Sequence, residues 1–354
     1  MPTLTGRQGS WELPHFHQWQ HRSADYRAPI VPLISSDTRV VTIGSCFAEE
    51  LARGMARLKI GGAMHPTGLF YNTGSIRQEI ERIFGGWPEY AAEPMWRIRD
   101  GWVHPFKNAD RVFETEAELR RWSDDLDRAA EALFRSAEVI VITLGLIEAW
   151  RNPVTRNVYR VLPHPDVFQD LRPVFTRLTV NEMQADLECI RTTIRRHTRA
   201  ELIVTVSPVP LHATMTDRDV RIANVESKSR IRAAVSEFVE THPDVRYFHS
   251  YELVTTSERL SDFMEADGRH VQRRAVDYIL SQFVRTFGSG LAIPDVDESW
   301  ITQPEKTAAR PRPKPIERVV TMIPRPLREA VLSRLPRDTR ESLRALVRNI
   351  KARQ

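Results

Sequence analysis

The sequence predicts an α/β protein whose parallel sheet is covered by helices on both faces. Three observations carry that reading. Short, near-continuous β-branched runs recur along the chain, amphipathic helical patterns separate them, and each run halts at Gly or Pro. The first run, Arg39-Val40-Val41-Thr42-Ile43, stops at Gly44. A helical pattern follows at once, with Phe47, Leu51, Met55 and Leu58 spaced by four, four and three. Strand, glycine turn and helix make the front half of a βαβ unit. A helix over Thr115–Arg135 leads to a second strand, Ala137–Leu144, halted by Gly145. A helix over Thr179–Thr198 leads to a third, Leu202–Val206, halted by Ser207-Pro208-Val209-Pro210. Further helices are predicted over Asn224–Glu240 and Val271–Phe287, the second entered from Asp267-Gly268-Arg269-His270. The three central helices begin at residues able to cap a helix N-terminus.

Composition bounds the function. With 41% hydrophobic residues in 354, the chain buries a sizeable core and is neither disordered nor, at 15 Gly, collagen-like. No apolar run approaches the ~20 residues of a membrane helix. The opening residues Met1–Gln8 lack the apolar stretch of a secretory signal, and two cysteines, Cys46 and Cys189, build no disulfide framework; the expectation is a cytoplasmic protein. The net charge of +5 is uneven: residues 301–354 hold 14 Lys/Arg against 5 Asp/Glu, so the tail carries +9 and the first 300 residues −4. A nucleic-acid partner would rest on that tail alone.

Four segments follow. Residues 1–37 read as an irregular aromatic and His-rich lead-in packed on the core, and His15, His17 and His21 lack the Cys or carboxylate set of a metal site. Residues 38–290 form the catalytic-type domain. Residues 291–325 are a Pro-rich basic linker, and 326–354 a basic amphipathic helical tail. That tail is suited to an anionic membrane surface (a peripheral attachment), to a protein partner, or to packing on the domain.

In open α/β sheets ligands bind outside the carboxyl ends of the strands. The small and polar residues there are Gly44-Ser45-Cys46, Gly145 to Glu148, and Ser207 to Pro210. A reactive group on the first would stand on a sharp strand-to-helix turn, as in a nucleophile elbow. His270, at a loop-to-helix junction, is the candidate general base, with Asp267 orienting its second nitrogen. Cys189 falls among core positions of its helix. No Gly-x-Gly-x-x-Gly or P-loop is present, so no cofactor is expected.

Gly44-Ser45-Cys46-Phe47-Ala48 matches the motif that names the GSCFA domain family, a branch of the SGNH/GDSL hydrolase-like group. The sequence resembles that family over about residues 35–290, also through Pro66–Asn72, Thr143-Leu144-Gly145, Ser207–Leu211, Ala223-Asn224 with Ser227-Lys228-Ser229, and the late Asp-x-x-His. The resemblance implies a flavodoxin-like α/β/α sandwich and acyl-ester chemistry, as a hydrolase or an O-acyltransferase acting on a small-molecule or glycan ester. The alternative is a non-catalytic glycan- or protein-binding module. The group's nucleophilic serine sits in Gly-Asp-Ser, so laying the triplets together makes Cys46 the nucleophile, and sliding by one makes it Ser45. A helix N-terminus favours a thiolate, which favours Cys46, with Ser45 as the cap. A merely buried Cys46 is the third reading. The oxyanion donors implied are the backbone N–H of Cys46, that of Gly68, and a side-chain amide. The group's amide follows the third-block glycine, yet Gly145-Leu146-Ile147-Glu148 has none, leaving Asn72 or Asn224. Glu148 reads as a structural or substrate-contacting carboxylate, and Trp150 as core or as a platform for a sugar. Lys228 reads as a lure for an anionic substrate or a solvated helix charge.

Overall fold

The computed structural model describes residues 30–87, 93–107, 111–256, 263–268, 270–296 and 300. In chain order the elements are β1 (Val40–Gly44), α1 (Cys46–Arg57), β2 (Gly62–Met64), α2 (Thr73–Ile83), β3 (Trp96–Ile98), β4 (Gly101–Val103), α3 (Glu116–Ser136) and β5 (Val139–Leu144). Then come β6 (Glu148–Arg151), β7 (Val158–Tyr159), α4 (Pro165–Leu171), β8 (Val174–Arg177), α5 (Val180–His197), β9 (Glu201–Val206), α6 (Val220–Thr241), β10 (Val245–Phe248), α7 (Ser250–Thr255) and α8 (Arg273–Phe287).

Five strands pair in parallel in the order β2-β1-β5-β9-β10. All five residues of β1 and all six of β5 are buried, which is why these strands read as unbroken apolar runs. Alternation then sorts their side chains to opposite faces. Val41, Ile43, Ile140 and Ile142 meet α2, α3, α5 and α6, whereas Val40, Val139 and Val141 meet α1, α7 and α8. The result is the three-layer α/β/α sandwich. Capping boxes open α3 (Thr115 with Glu118) and α5 (Thr179 with Glu182), as the sequence signals predict. The helix predicted from Asn224 begins one turn earlier, at Val220, because Asp219 supplies the cap to Arg221 N–H. From the N-terminal lead-in, Val31, Leu33 and Ile34 donate backbone bonds to Thr286 and Phe287. The histidines at 15, 17 and 21 and the tail at 326–354 lie outside the described residues. No helix among the described residues is long and apolar enough to cross a membrane.

Two small antiparallel sheets, β3-β4 and β7-β6-β8, are inserted around the parallel one, and the second walls the site. Beside β2 lies a buried charge network. His65 Nε2 is 2.8 Å from Glu79 Oε1, Arg82 pairs with Glu79 and with Asp127, and Lys107 pairs with Asp127. Burial alone would raise the Glu79 carboxyl, but Arg82 and His65 outweigh it and hold it well below the usual range. Burial lowers His65 and, with Lys107 and Arg82 adding to it, lowers His104 well below the usual 6.5.

All three groups act in the same direction with pH. The unfolded chain binds more protons than the native one wherever a native pKa is depressed, so stability falls on acidification. The free energy of unfolding in urea is expected to decline from pH 7 toward pH 4. Glu79→Gln is expected to be less stable than wild type at pH 7, and the gap should narrow below about 4.5, where Glu79 loses its ionised-state advantage. A gap independent of pH would show that the carboxylate charge contributes nothing.

Candidate active site

The strand order brings β1 and β5 together at the point where the chain reverses its winding, α1 lying on one face and α2 and α3 on the other. At the carboxyl ends of these strands a cavity of about 410 Å³ opens, its floor including Ser45, Cys46, Gly145 and Ser207. Its walls are mostly apolar, from Tyr71, Trp150, Leu162, Phe175 and Met215, with Glu148 as the carboxylate and Arg160 and His212 as the basic groups of the lining. An apolar pocket with a few polar groups at a switch point is the expected form of a small-ligand site.

The turn that carries Cys46 is built by Gly44. Its φ is +138°, and a Cβ there would stand 2.1 Å from the Thr143 carbonyl oxygen, so only glycine fits. Ser45 N–H donates to the same carbonyl (3.1 Å) and to Thr143 Oγ1 (2.9 Å). Ser45 is 2% exposed, and its hydroxyl contacts Thr143 Oγ1 at 3.1 Å while accepting from Phe47 N–H as the cap of α1. Cys46, the first residue of α1, is half-buried at the cavity. It stands at the positive end of the helix dipole.

Lys228 is the residue whose place departs most from expectation. It is neither solvated nor in the cavity lining: at 1% exposure it lies beneath the floor. Its Nζ donates to the carbonyls of Gly145 (2.7 Å) and Ser207 (2.8 Å), both floor residues. Next to it, Ser227 Oγ accepts from Ile147 N–H at 3.0 Å, so α6 is stapled to the turn after β5. Burial pushes the Lys228 ammonium down to about 7, against a raising pull from the Cys46 sulfur.

The other expected residues divide. Glu148 lines the cavity, and its carboxylate accepts from Thr214 Oγ1 (2.5 Å) and Met215 N–H (3.0 Å), pinning the loop after β9 over the site. Trp150 lines it too, edge-on to Phe168 at 5.3 Å. Gly68 is not an oxyanion donor, because its N–H closes a turn onto the His65 carbonyl at 3.2 Å. Gly145 N–H is likewise spent on the Tyr71 carbonyl. Neither side-chain amide, that of Asn72 or that of Asn224, lines the cavity. Asn72 caps α2 by accepting from Ser75 N–H, and Asn224 accepts from Leu211 N–H. Cys189 is not core: it is half-buried, and its thiol donates to Glu81, which together with burial raises it to about 11.

The structure brings Asp267 and His270 to each other, with Oδ2 and Nδ1 2.5 Å apart, but not into the cavity lining. The helix they precede meets α1 through Arg57–Asp277 and Gly54–Leu280, toward the end opposite Cys46. The histidine that does line the cavity is His212, two residues beyond Pro210. A strand-end loop is a signal that would have found it, but no helix start or Asp-Gly turn marks it.

This fold and site define an α/β/α sandwich with a thiol on the strand-to-helix turn at the carboxyl end of its parallel sheet. The GSCFA family model matches residues 39–283, and the chain belongs to the GSCFA family. Among curated proteins no match is found.

The turn gives a direct test of the geometry. Gly44→Ala is expected to cost more than ~3 kcal/mol, or to abolish soluble protein, because strain and a backbone clash coincide there. Gly86→Ala, where a Cβ would meet nothing closer than 3.5 Å, is the control. It should stay within ~1 kcal/mol of wild type in urea unfolding. Equal effects at both positions would contradict the tight approach of β1 to Thr143.

Proposed function

We propose that the chain is a cysteine-dependent acyl-transfer enzyme, cleaving or transferring acyl esters through a Cys46 thioester. The observation that carries this reading is the pairing of roles on one turn. The Ser45 hydroxyl is taken up in capping, while Cys46, one residue on, stands at the cavity and the helix N-terminus. In the first step the Cys46 thiolate attacks the ester carbonyl carbon, the C–O bond breaks, and the leaving alkoxide takes a proton to depart as the alcohol. In the second, water or an acceptor hydroxyl attacks the thioester, releasing acid or new ester and returning the thiol.

The cavity volume suits an acyl group with a small alcohol. Trp150 and Phe175 give it an aromatic wall against which a sugar ring can lie, which supports an acylated carbohydrate as substrate. A cytoplasmic enzyme with a tail at 326–354 that docks to an anionic surface or a protein extends the same reading. One observation favours the non-catalytic module instead: the Asp267–His270 pair is not in the cavity lining.

Intact-mass analysis after exposure to an activated acetyl ester separates the two. One acetyl adduct is expected on wild type, none on Cys46→Ala, and the adduct retained on Ser45→Ala despite the ~1 kcal/mol cost of a lost cap. His270→Ala should keep it as well. An adduct lost only in Ser45→Ala moves the nucleophile by one residue; no adduct and no ester hydrolysis in wild type favours the binding module.

A further inference from the structure

We infer that Lys228, buried beneath the cavity floor and fixed on the Gly145 and Ser207 carbonyls, is the positioning residue that holds Cys46 as a thiolate, in the role expected of His270. The inference rests on the acyl-transfer reading for its purpose, though not for its test.

A fully buried ammonium is a poor structural device. Its desolvation costs several kcal/mol, which carbonyl acceptors repay only in part and a carboxylate partner would repay better. Among the described residues no carboxylate meets Lys228, whose bonds go to two carbonyls of the floor, and Gly145, which it holds, abuts Ser45, the residue before Cys46: a Cβ on Gly145 would stand 3.2 Å from the Ser45 Cβ. The choice of side chain is also specific. The chain has 51 Lys/Arg, of which only six are lysine, and the buried Glu79 is paired with an arginine. Arginine keeps its proton under all physiological conditions, whereas a lysine in a dry site exchanges its own near neutrality. Two N–H bonds to carbonyls leave the third position of the amine for a proton or a lone pair.

The coupling is electrostatic, through the floor: the ammonium form of Lys228 lowers the free energy of the Cys46 thiolate, and each group exchanges its own proton with water, so no oxidant or further reactant is needed. The ammonium form keeps both carbonyl bonds and sets a positive charge near the sulfur, added to that of the helix terminus.

The surrounding charges are engaged elsewhere. Glu49 and Glu50, in the first turn of α1, both pair with Arg53. On α6, Glu226 is held by Arg177, Arg218 and Arg230. Glu148 is bonded to the 214–215 loop. Of the cavity lining, the Tyr159 hydroxyl is bonded to Asn152 and Glu93, which leaves Tyr71, Arg160 and His212 as lining groups able to act on Cys46. Arg160 donates to the Thr67 carbonyl and lies over the Phe70 ring, so Tyr71 and His212 are the competitors to test.

The test is the rate of Cys46 alkylation by iodoacetamide between pH 5 and pH 10, in the full chain with Cys189→Ser and with the site confirmed by peptide mass. In wild type the rate should titrate with a midpoint clearly below the ~8.5 of a free cysteine. Lys228→Met, which removes the charge, and Lys228→Gln, which keeps donors for the carbonyls, should each raise the midpoint to ~8.5 or above. Their rate at pH 7 should fall ~10-fold or more while their rate at pH 10 stays within ~2-fold of wild type, a pattern that misfolding does not produce. Circular dichroism and melting confirm that the variants fold. A wild-type midpoint at or above that of a free cysteine overturns the inference, whether or not the variants fold. So does an unchanged midpoint in a folded Lys228 variant, or one that moves with His212→Ala or Tyr71→Phe instead. A low, Lys228-dependent midpoint with no acetyl adduct leaves this inference standing and removes the acyl-transfer reading; an adduct with an ordinary midpoint does the reverse.

Discussion

The Lys228 ammonium spans the carbonyls of Gly145 and Ser207, the first residues past β5 and β9, and most of the site's geometry depends on that bridge. Two neighbouring strand ends present carbonyl oxygens that, with no sheet partner beyond the last ladder bond, would be left orphaned in a dry interior. A single side chain from α6 satisfies both, and Ser227 beside it satisfies Ile147 N–H. The helix, the turn after β5 and the turn after β9 are thus fixed as one unit. The cavity floor is the upper surface of that unit. The opposite side of the floor is the β1 turn, locked onto Thr143 by Ser45 N–H and by the absence of a side chain on Gly44. Thr143 pairs with Gly44 on one side and Thr205 on the other, so one ladder level sets the height of all three strand ends.

Above this rigid floor the walls come from less regular chain. The β7-β6-β8 sheet contributes Glu148, Trp150, Tyr159 and Phe175, and Glu148 reaches across to hold the 214–215 loop. The division is physically sensible. The reacting group needs precise placement, which parallel strands and a helix terminus supply, whereas substrate shape is set by inserted segments that can vary without disturbing the sheet.

How much of this was legible in the sequence depended on where burial is complete. β1, β5 and β9 are central strands, buried on both faces, and their β-branched runs announce them. β2 and β10 have three and four residues at the sheet edges and carry too little pattern to stand out, Gly62-Ala63-Met64 least of all. α3 and α5 begin at capping-box threonines and were readable to within a residue. α6 was not, because its burial changes along its length and Asp219 caps it in an unpatterned loop. At the site, the Gly44-Ser45-Cys46 turn was readable because each residue has a local reason: no room for a Cβ, a cap, an N-terminal thiol. Lys228 and His270 were not. A lysine on a helix reads as solvated unless the fold buries it, and a histidine after Asp-Gly reads as site-directed unless the fold turns its loop away. Both depend on contacts between residues more than 80 positions apart or on helix placement, which local pattern does not encode.

The most direct measurement is the titration of the Lys228 side chain itself, followed by NMR in protein labelled at lysine ε-carbons, a tractable experiment with six lysines in the chain. The account predicts that the Lys228 signal titrates near 7, far from the ordinary 10.5, and that it shifts lower still in Cys46→Ala, where the sulfur's raising pull is gone. A Lys228 signal that titrates with the exposed lysines, or that ignores the loss of Cys46, would contradict it.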